Sequence, residues 1–179
     1  TKAKANFNKK DYDASYGTLV KALAANPNST EALRLIASVY QKKKQWDTSL
    51  VYFNKVLEID PLDYVSLFDR GVSKSHLKDF IGAQQDIEKA MQIDTASKYI
   101  GYNNLGFFLD FEKKEYQKAL ESFNKSITLS PDFAYAYCNR AFAKLQLGDI
   151  KGAYADIHKS ISLDPENTYA YKNLGLIQL

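Results

Sequence analysis

Apolar and small residues recur along this chain at intervals of three and four, the period of a helix with one face turned to a core. The pattern is sharpest from Ala134 to Pro165, AYAYCNRAFAKLQLGDIKGAYADIHKSISLDP. Tyr137, Arg140 and the small Ala141 belong to a first amphipathic helix, which Gly148-Asp149 interrupts. Ala153, Ile157 and Ser160 then mark the buried stripe of a second helix. Pro165 cannot continue a helix and disfavours helical geometry at the residue before it, so it closes the unit. The stretch predicts two helices joined by a tight turn.

The rest of the chain repeats this pattern. Pro27 to Pro61 is 34 residues and Pro131 to Pro165 is 34 again. Thr95 stands 34 residues after Pro61 in a matching context, Ile59-Asp60-Pro61 against Ile93-Asp94-Thr95. Thr95 to Pro131 is 36, which places extra residues around Ser97-Lys98 and between Asp110 and Lys114. Gly71, Gly106, Ala141 and Gly175 share one mid-helix slot, where glycine costs about 1 kcal/mol relative to alanine. Such a repeated cost predicts a second helix passing close by, with Ser15, Ser49, Ala83, Ala119 and Ala153 as the small slot facing it. Trp46, Phe80, Tyr116, Ile150, Phe53, Phe123 and Ile157 are expected to fill the remaining space. A single helical pair cannot bury its apolar face, so neighbouring pairs must stack.

A period of 34 residues with these positions resembles the tetratricopeptide repeat family, whose signature is W-x2-L-G-x2-Y…A-x3-F…P. The second repeat carries Leu33, Ile36-Ala37, Tyr40, Ser49, Phe53, Val56 and Pro61, and the third Leu67, Gly71, Ala83, Ile87, Ala90 and Thr95. The fourth carries Tyr102, Leu105-Gly106, Leu109, Ala119, Phe123, Ser126 and Pro131. The resemblance runs over essentially the whole chain. It implies an all-α, right-handed superhelical solenoid of helix–turn–helix repeats, with first helices lining a concave groove. A single solenoid domain 1–179 is expected: a partial repeat 1–29, full repeats at about 30–63, 64–97, 98–133 and 134–167, and a last first-helix at 168–179. Arg70 and Arg140 replace an apolar residue of the signature, and Lys74 and Lys144 replace its Tyr. These departures are expected to loosen the third and fifth repeats locally.

Charge and candidate chemistry narrow the function classes. With 24 basic and 21 acidic residues the net charge is +3, too balanced to imply nucleic acid by itself. The one cysteine, Cys138, excludes an internal disulfide and a cysteine-based zinc site, and fits a reducing, cytoplasmic compartment. No apolar run approaches the roughly 20 residues of a membrane span. The sequence begins part-way through a first helix, as a segment of a longer protein would, and its last helix ends on apolar Leu176, Ile177 and Leu179. The two histidines, His76 and His158, fall on different repeats and are not expected to converge on a metal. No phosphate loop, Ser-His-Asp set or Cys-His pair is present. No catalytic residue, metal or cofactor is therefore assigned.

Specificity would reside in the groove. Counting from the small slot of each first helix, the groove set is Arg34, Phe68, Val72, Asn103, Phe107, Tyr135, Cys138, Phe142, Tyr169 and Lys172. It is polar at its first end and apolar-aromatic from the third repeat onward, which predicts a protein or peptide partner with apolar side chains. Some members of the family bind acidic chaperone tails through a clamp of Lys, Arg and Asn. Here Asn104, Asn139 and Asn173 recur at one slot, but Phe68, Val72, Asn103, Phe107, Cys138 and Phe142 stand where the basic residues belong. A second reading is a structural or self-association segment that uses the chain ends. A third is RNA binding along turn lysines, Lys9-Lys10, Lys42-Lys43-Lys44, Lys78 and Lys113-Lys114. An apolar groove argues against RNA.

Overall fold

A computed structural model describes residues 12–108 and 113–177. The described residues form ten helices and no strand. These are α1 (Tyr12–Ala25), α2 (Thr30–Lys42), α3 (Trp46–Ile59), α4 (Tyr64–His76) and α5 (Phe80–Ile93), then α6 (Lys98–Phe108), α7 (Tyr116–Leu129), α8 (Ala134–Gln146), α9 (Ile150–Leu163) and α10 (Thr168–Ile177). The expected all-α helical repeat is the observed fold, and helix ends fall at the punctuation read from the sequence. Lys9-Lys10, Leu109 to Glu112 and Leu179 lie outside the described residues. No described helix is long and apolar enough to cross a membrane.

Side-chain caps set several helix starts by satisfying backbone N–H groups that have no partner within the helix. Ser29 accepts from the Ala32 N–H at 3.3 Å, Asp63 from Ser66 at 2.8 Å and Asp149 from Gly152 at 2.9 Å. The turn inside each pair ends its first helix with a residue in left-handed geometry: Lys44 (φ 58°), Lys78 (φ 66°), Lys114 (φ 56°) and Gly148 (φ 81°). The next N–H reaches back five residues, as Gln45 to the Tyr40 carbonyl and Asp149 to the Lys144 carbonyl, both at 2.9 Å. Left-handed backbone costs a residue with a β-carbon about 1 kcal/mol more than glycine.

Contacts gather the helices into two compact units that divide between Ile93 and Asp94. In the N-terminal unit α2 pairs with α3 and α4 with α5, while α1 packs on α2 and α3 on α4. In the C-terminal unit α6 pairs with α7 and α8 with α9, while α7 packs on α8 and α10 on α9 and α8. Phe53, Phe123 and Ile157 are 0 % exposed, and burying each contributes about 2–3 kcal/mol. Trp46, Phe80 and Tyr116 are half-buried. Ile150, expected between helices, is 57 % exposed, because it opens α9 directly after the turn.

The mid-helix glycines mark close helix approaches in two repeats. A β-carbon on Gly106 would stand 2.6 Å from Phe123 Cε1, and one on Gly71 would stand 2.9 Å from Ile87 Cγ1 and 3.1 Å from the Ala83 carbonyl. At Gly175 nothing lies within 4 Å. Gly106→Ala therefore gains about 1 kcal/mol of helix propensity but overpacks a fully buried ring, for a net loss of about 1–2 kcal/mol. Urea unfolding should show that loss for Gly106→Ala and a neutral or stabilising Gly175→Ala.

The expected loosening at Arg70, Lys74, Arg140 and Lys144 is not what these residues do. Arg70 clasps Asp86 with Nε and Nη2, each at 2.7 Å, and Lys74 Nζ reaches the same carboxylate at 2.9 Å. Arg70 Nη1 also donates to Asn54 Oδ1 at 2.8 Å, so α3, α4 and α5 are tied together. The C-terminal unit builds the same cluster from Arg140, Lys144, Asp156 and Asn124, at 2.6 to 2.8 Å. Both carboxylates are 7 % exposed. The cations replace the signature's apolar residues because Asp86 and Asp156 sit opposite them.

Candidate protein-interaction faces

In the C-terminal unit the first helices α6, α8 and α10 lie side by side, and asparagines join them. Asn139 Nδ2 on α8 donates to Asn103 Oδ1 on α6 at 3.0 Å, and Asn173 Nδ2 on α10 donates to the Cys138 carbonyl at 3.3 Å. Second helices are fastened to first helices by hydroxyls: Ser126 donates to the Tyr99 carbonyl at 2.7 Å and Ser160 to the Ala134 carbonyl at 2.9 Å. The recurring Asn and Ser slots thus hold the face in register.

This scaffold sorts the groove residues read from the sequence. Cys138 is 1 % exposed and packs with Ala141, Ala153, Ile157 and Ala170. Its expected groove position is thus a core position, and burial pushes its thiol up to about 11. Asn103 is 7 % exposed and turned to Asn139. Phe107 and Phe142 are half-buried. Tyr135 and Tyr169, one repeat apart, are 45 % and 62 % exposed although they are large aromatic side chains. Lys172 Nζ lies 5.5 Å from the centre of the Tyr169 ring. Tyr135 also ends a chain of rings that the sequence reading missed. Phe133 stands 4.9 Å from Tyr99 and 5.9 Å from Tyr135, centre to centre.

The N-terminal unit presents a more polar set. Arg34 Nη1 is bonded to Asp63 Oδ2 at 2.8 Å, Phe68 is 6 % exposed, and Val72 is half-buried. Gln41 Nε2 bridges α2 to α4, donating to the Asp69 carbonyl at 2.7 Å and to Ser73 Oγ at 2.8 Å. Asp69 is a second residue missed from sequence. It occupies the slot of Asn104, Asn139 and Asn173, and desolvation raises its carboxyl to about 6, against the pull of Arg34 and Lys42. That acid in an asparagine slot is the signal that could have found it.

His76 stacks on Trp46 with ring centres 3.9 Å apart, and His158 lies 4.3 Å from the Tyr154 ring centre. Among the described residues no three His, Cys, Asp or Glu side chains gather as a metal ion would require.

The repeats match known families of proteins. A tetratricopeptide repeat model matches residues 30–61 and 134–167, and a TPR repeat model matches residues 109–148. Human tetratricopeptide repeat protein 6 is 28 % identical over 120 residues, which is 67 % of this chain and 22 % of that protein. A TPR repeat-containing protein of Methanocaldococcus jannaschii is 29 % identical over 110 residues, 62 % of this chain and 19 % of that protein. The chain spans about a fifth of the length of these curated relatives. Among solved structures, a thermophilic TPR protein of Thermus thermophilus superposes with a TM-score of 0.85 at 17 % identity, covering 99 % of this chain and 96 % of that one. YrrB, described as a TPR protein with an unusual peptide-binding site, superposes with a TM-score of 0.63 at 18 % identity, covering 99 % and 89 %. At these identities the likeness to solved structures shows the fold.

Proposed function

Because the chain belongs to the tetratricopeptide repeat family, we propose that it is a non-enzymatic interaction module that holds an extended segment of a partner protein on the first-helix face of its C-terminal unit. Repeats of this family generally mediate protein–protein interaction, and YrrB is described as having a peptide-binding site on the same fold. The observation that carries the reading is the exposure of Tyr135 and Tyr169, at 45 % and 62 %. The core slots of the second helices α7 and α9, which pack against α8 and α10, are already filled by Ala119, Phe123, Ala153 and Ile157, all at 0 %. These rings are therefore surplus to packing, and tyrosine presents a large apolar area with a polar tip at low entropy cost. The proposed face includes Phe107 on α6, Phe142 on α8 and Lys172 on α10, with Asn103 beneath it bonded to Asn139. Arg34, Phe68 and Val72 belong to the N-terminal unit and are not part of this face; there Arg34 is committed to Asp63 and Phe68 is buried.

Peptide-display selection against the wild-type protein, counter-screened with Tyr135→Ser plus Tyr169→Ser, tests this. Enriched peptides should bind the double variant at least 10-fold more weakly while its helical circular dichroism is unchanged. Peptides indifferent to both changes, or no enrichment, would remove the aromatic face from the function.

A further inference from the structure

The turns of the N-terminal unit carry a feature that folding does not require. Lys44 and Lys78 occupy left-handed backbone, at φ 58° and φ 66°, as Lys114 does in the fourth repeat at φ 56°, where the fifth repeat has Gly148 at φ 81°. A β-carbon is disfavoured there, and glycine would close the same turn without strain. Among the described residues neither lysine side chain makes a hydrogen bond or an ion pair. Lys42, Lys44 and Lys78 are exposed and form no ion pair among the described residues. Strain kept at a position with no internal compensation points to a role outside the fold.

A second, independent contact brings these lysines together. Trp46 opens α3 two residues after Lys44, and His76 closes α4 two residues before Lys78. Their rings stack with centres 3.9 Å apart and planes 12° apart. The stack clamps the α2–α3 turn to the α4–α5 turn, so Lys42, Lys43, Lys44, His76 and Lys78 share one edge of the unit. The acids on these two turns are Asp47 and Asp79, and Asp79 Oδ1 is engaged by the Gly82 N–H at 2.9 Å. The exposed ammonium groups of Lys42, Lys44 and Lys78 therefore stand beside Asp47 and Asp79, the latter already bonded, while Asp69 interacts with Lys42 from the interior side.

We propose that this edge is a docking surface for an acidic segment of a protein partner, whose carboxylates pair with Lys42, Lys44 and Lys78. It belongs to the N-terminal unit and the tyrosine face to the C-terminal unit, and the two sites succeed or fail separately. Nucleic acid fits the edge less well. Asp47 and Asp79 break a continuous track of phosphate contacts, and His76 covers one face of the Trp46 ring, which reduces the aromatic surface available to bases. Discrete carboxylates on a flexible chain can reach past both acids.

The test uses a fluorescein-labelled 12-residue Glu/Asp-rich peptide, with binding read by anisotropy and by the emission of Trp46, the only tryptophan. Lys44→Gly plus Lys78→Gly should weaken binding at least 10-fold while the thermal midpoint stays equal or rises, because the strain is relieved. Lys21→Gln plus Lys89→Gln, an equal charge change at exposed positions elsewhere in the unit, should leave affinity within twofold. Tyr135→Ser plus Tyr169→Ser should also leave it unchanged. An equal loss in the charge-matched control, no loss in the glycine variant, or a glycine variant that melts lower would overturn the proposal. So would tighter binding of a single-stranded RNA of the same charge, which would mark the edge as a phosphate site instead.

Discussion

Asp156→Ala should destabilise the C-terminal unit by about 3–5 kcal/mol, the range for breaking one side of a buried ion pair. The carboxylate is 7 % exposed and neutralises two cations at once, Arg140 Nη2 at 2.6 Å and Lys144 Nζ at 2.8 Å. Alanine would strand a guanidinium and an ammonium group that are only about a fifth exposed. Asp86→Ala should do the same to the N-terminal unit through Arg70 and Lys74. The second repeat shows that the network is not obligatory. Its corresponding slots hold Ile36, Tyr40 and Tyr52, with the two tyrosine rings stacked 5.6 Å apart. The triple change Arg140→Ile, Lys144→Tyr and Asp156→Tyr should therefore return stability to within about 1 kcal/mol of wild type, as replacing a whole buried ion cluster by apolar groups commonly does. Urea unfolding followed by circular dichroism measures both, and thiol labelling of the buried Cys138 reports opening of that unit locally. A cost below about 1 kcal/mol for Asp156→Ala would show that the cluster is solvated in solution.

Asp69→Asn should stabilise the N-terminal unit by about 2–3 kcal/mol at pH 7.5, with the gain shrinking to about 1 kcal/mol at pH 4.5. Desolvation raises the Asp69 carboxyl from 3.8 to about 6, while Arg34 and Lys42 oppose the shift and Asp63 adds to it. A carboxyl whose folded value lies above its unfolded one binds its proton more tightly in the native state. The native state is then favoured at acid pH and loses that advantage as pH rises from about 4 to about 6, with the full penalty present above. Asparagine has no charge to bury, so the difference between the two proteins should itself carry the pH dependence. It also supplies the amide donor that Asn139 and Asn173 use at the same slot. Trp46 fluorescence in urea at the two pH values reads this in the right unit. A gain equal at both pH values, or none, would contradict the desolvated carboxyl.

How much of this was legible beforehand varied by slot. The 34-residue spacing of the prolines, the Gly148-Asp149 break and the Ala153, Ile157, Ser160 stripe predicted helix–turn–helix units, and the helices fall there. Gly71 and Gly106 predicted close helix approaches correctly, since a glycine in a helix interior has few other uses. The groove was less legible. Counting along a helix places residues on a face but does not say how deep that face lies. Cys138 and Phe68 proved buried, whereas Tyr135 and Tyr169 proved exposed. The Arg-Lys substitutions read as weaknesses because their counter-ion sits 16 residues away for the arginine, on another helix.

The sequence alone therefore determined the class of fold, the repeat length and the placement of helices and turns. Those depend on local quantities: a period of three to four residues, the fixed φ of proline and the small size of glycine. Tertiary structure alone decided which charges became a buried network and which aromatic rings were left in water. Burial and pairing are set by what the neighbouring helix brings to the same point in space. The partner of Arg140 is Asp156 and that of His76 is Trp46 only after the helices have packed.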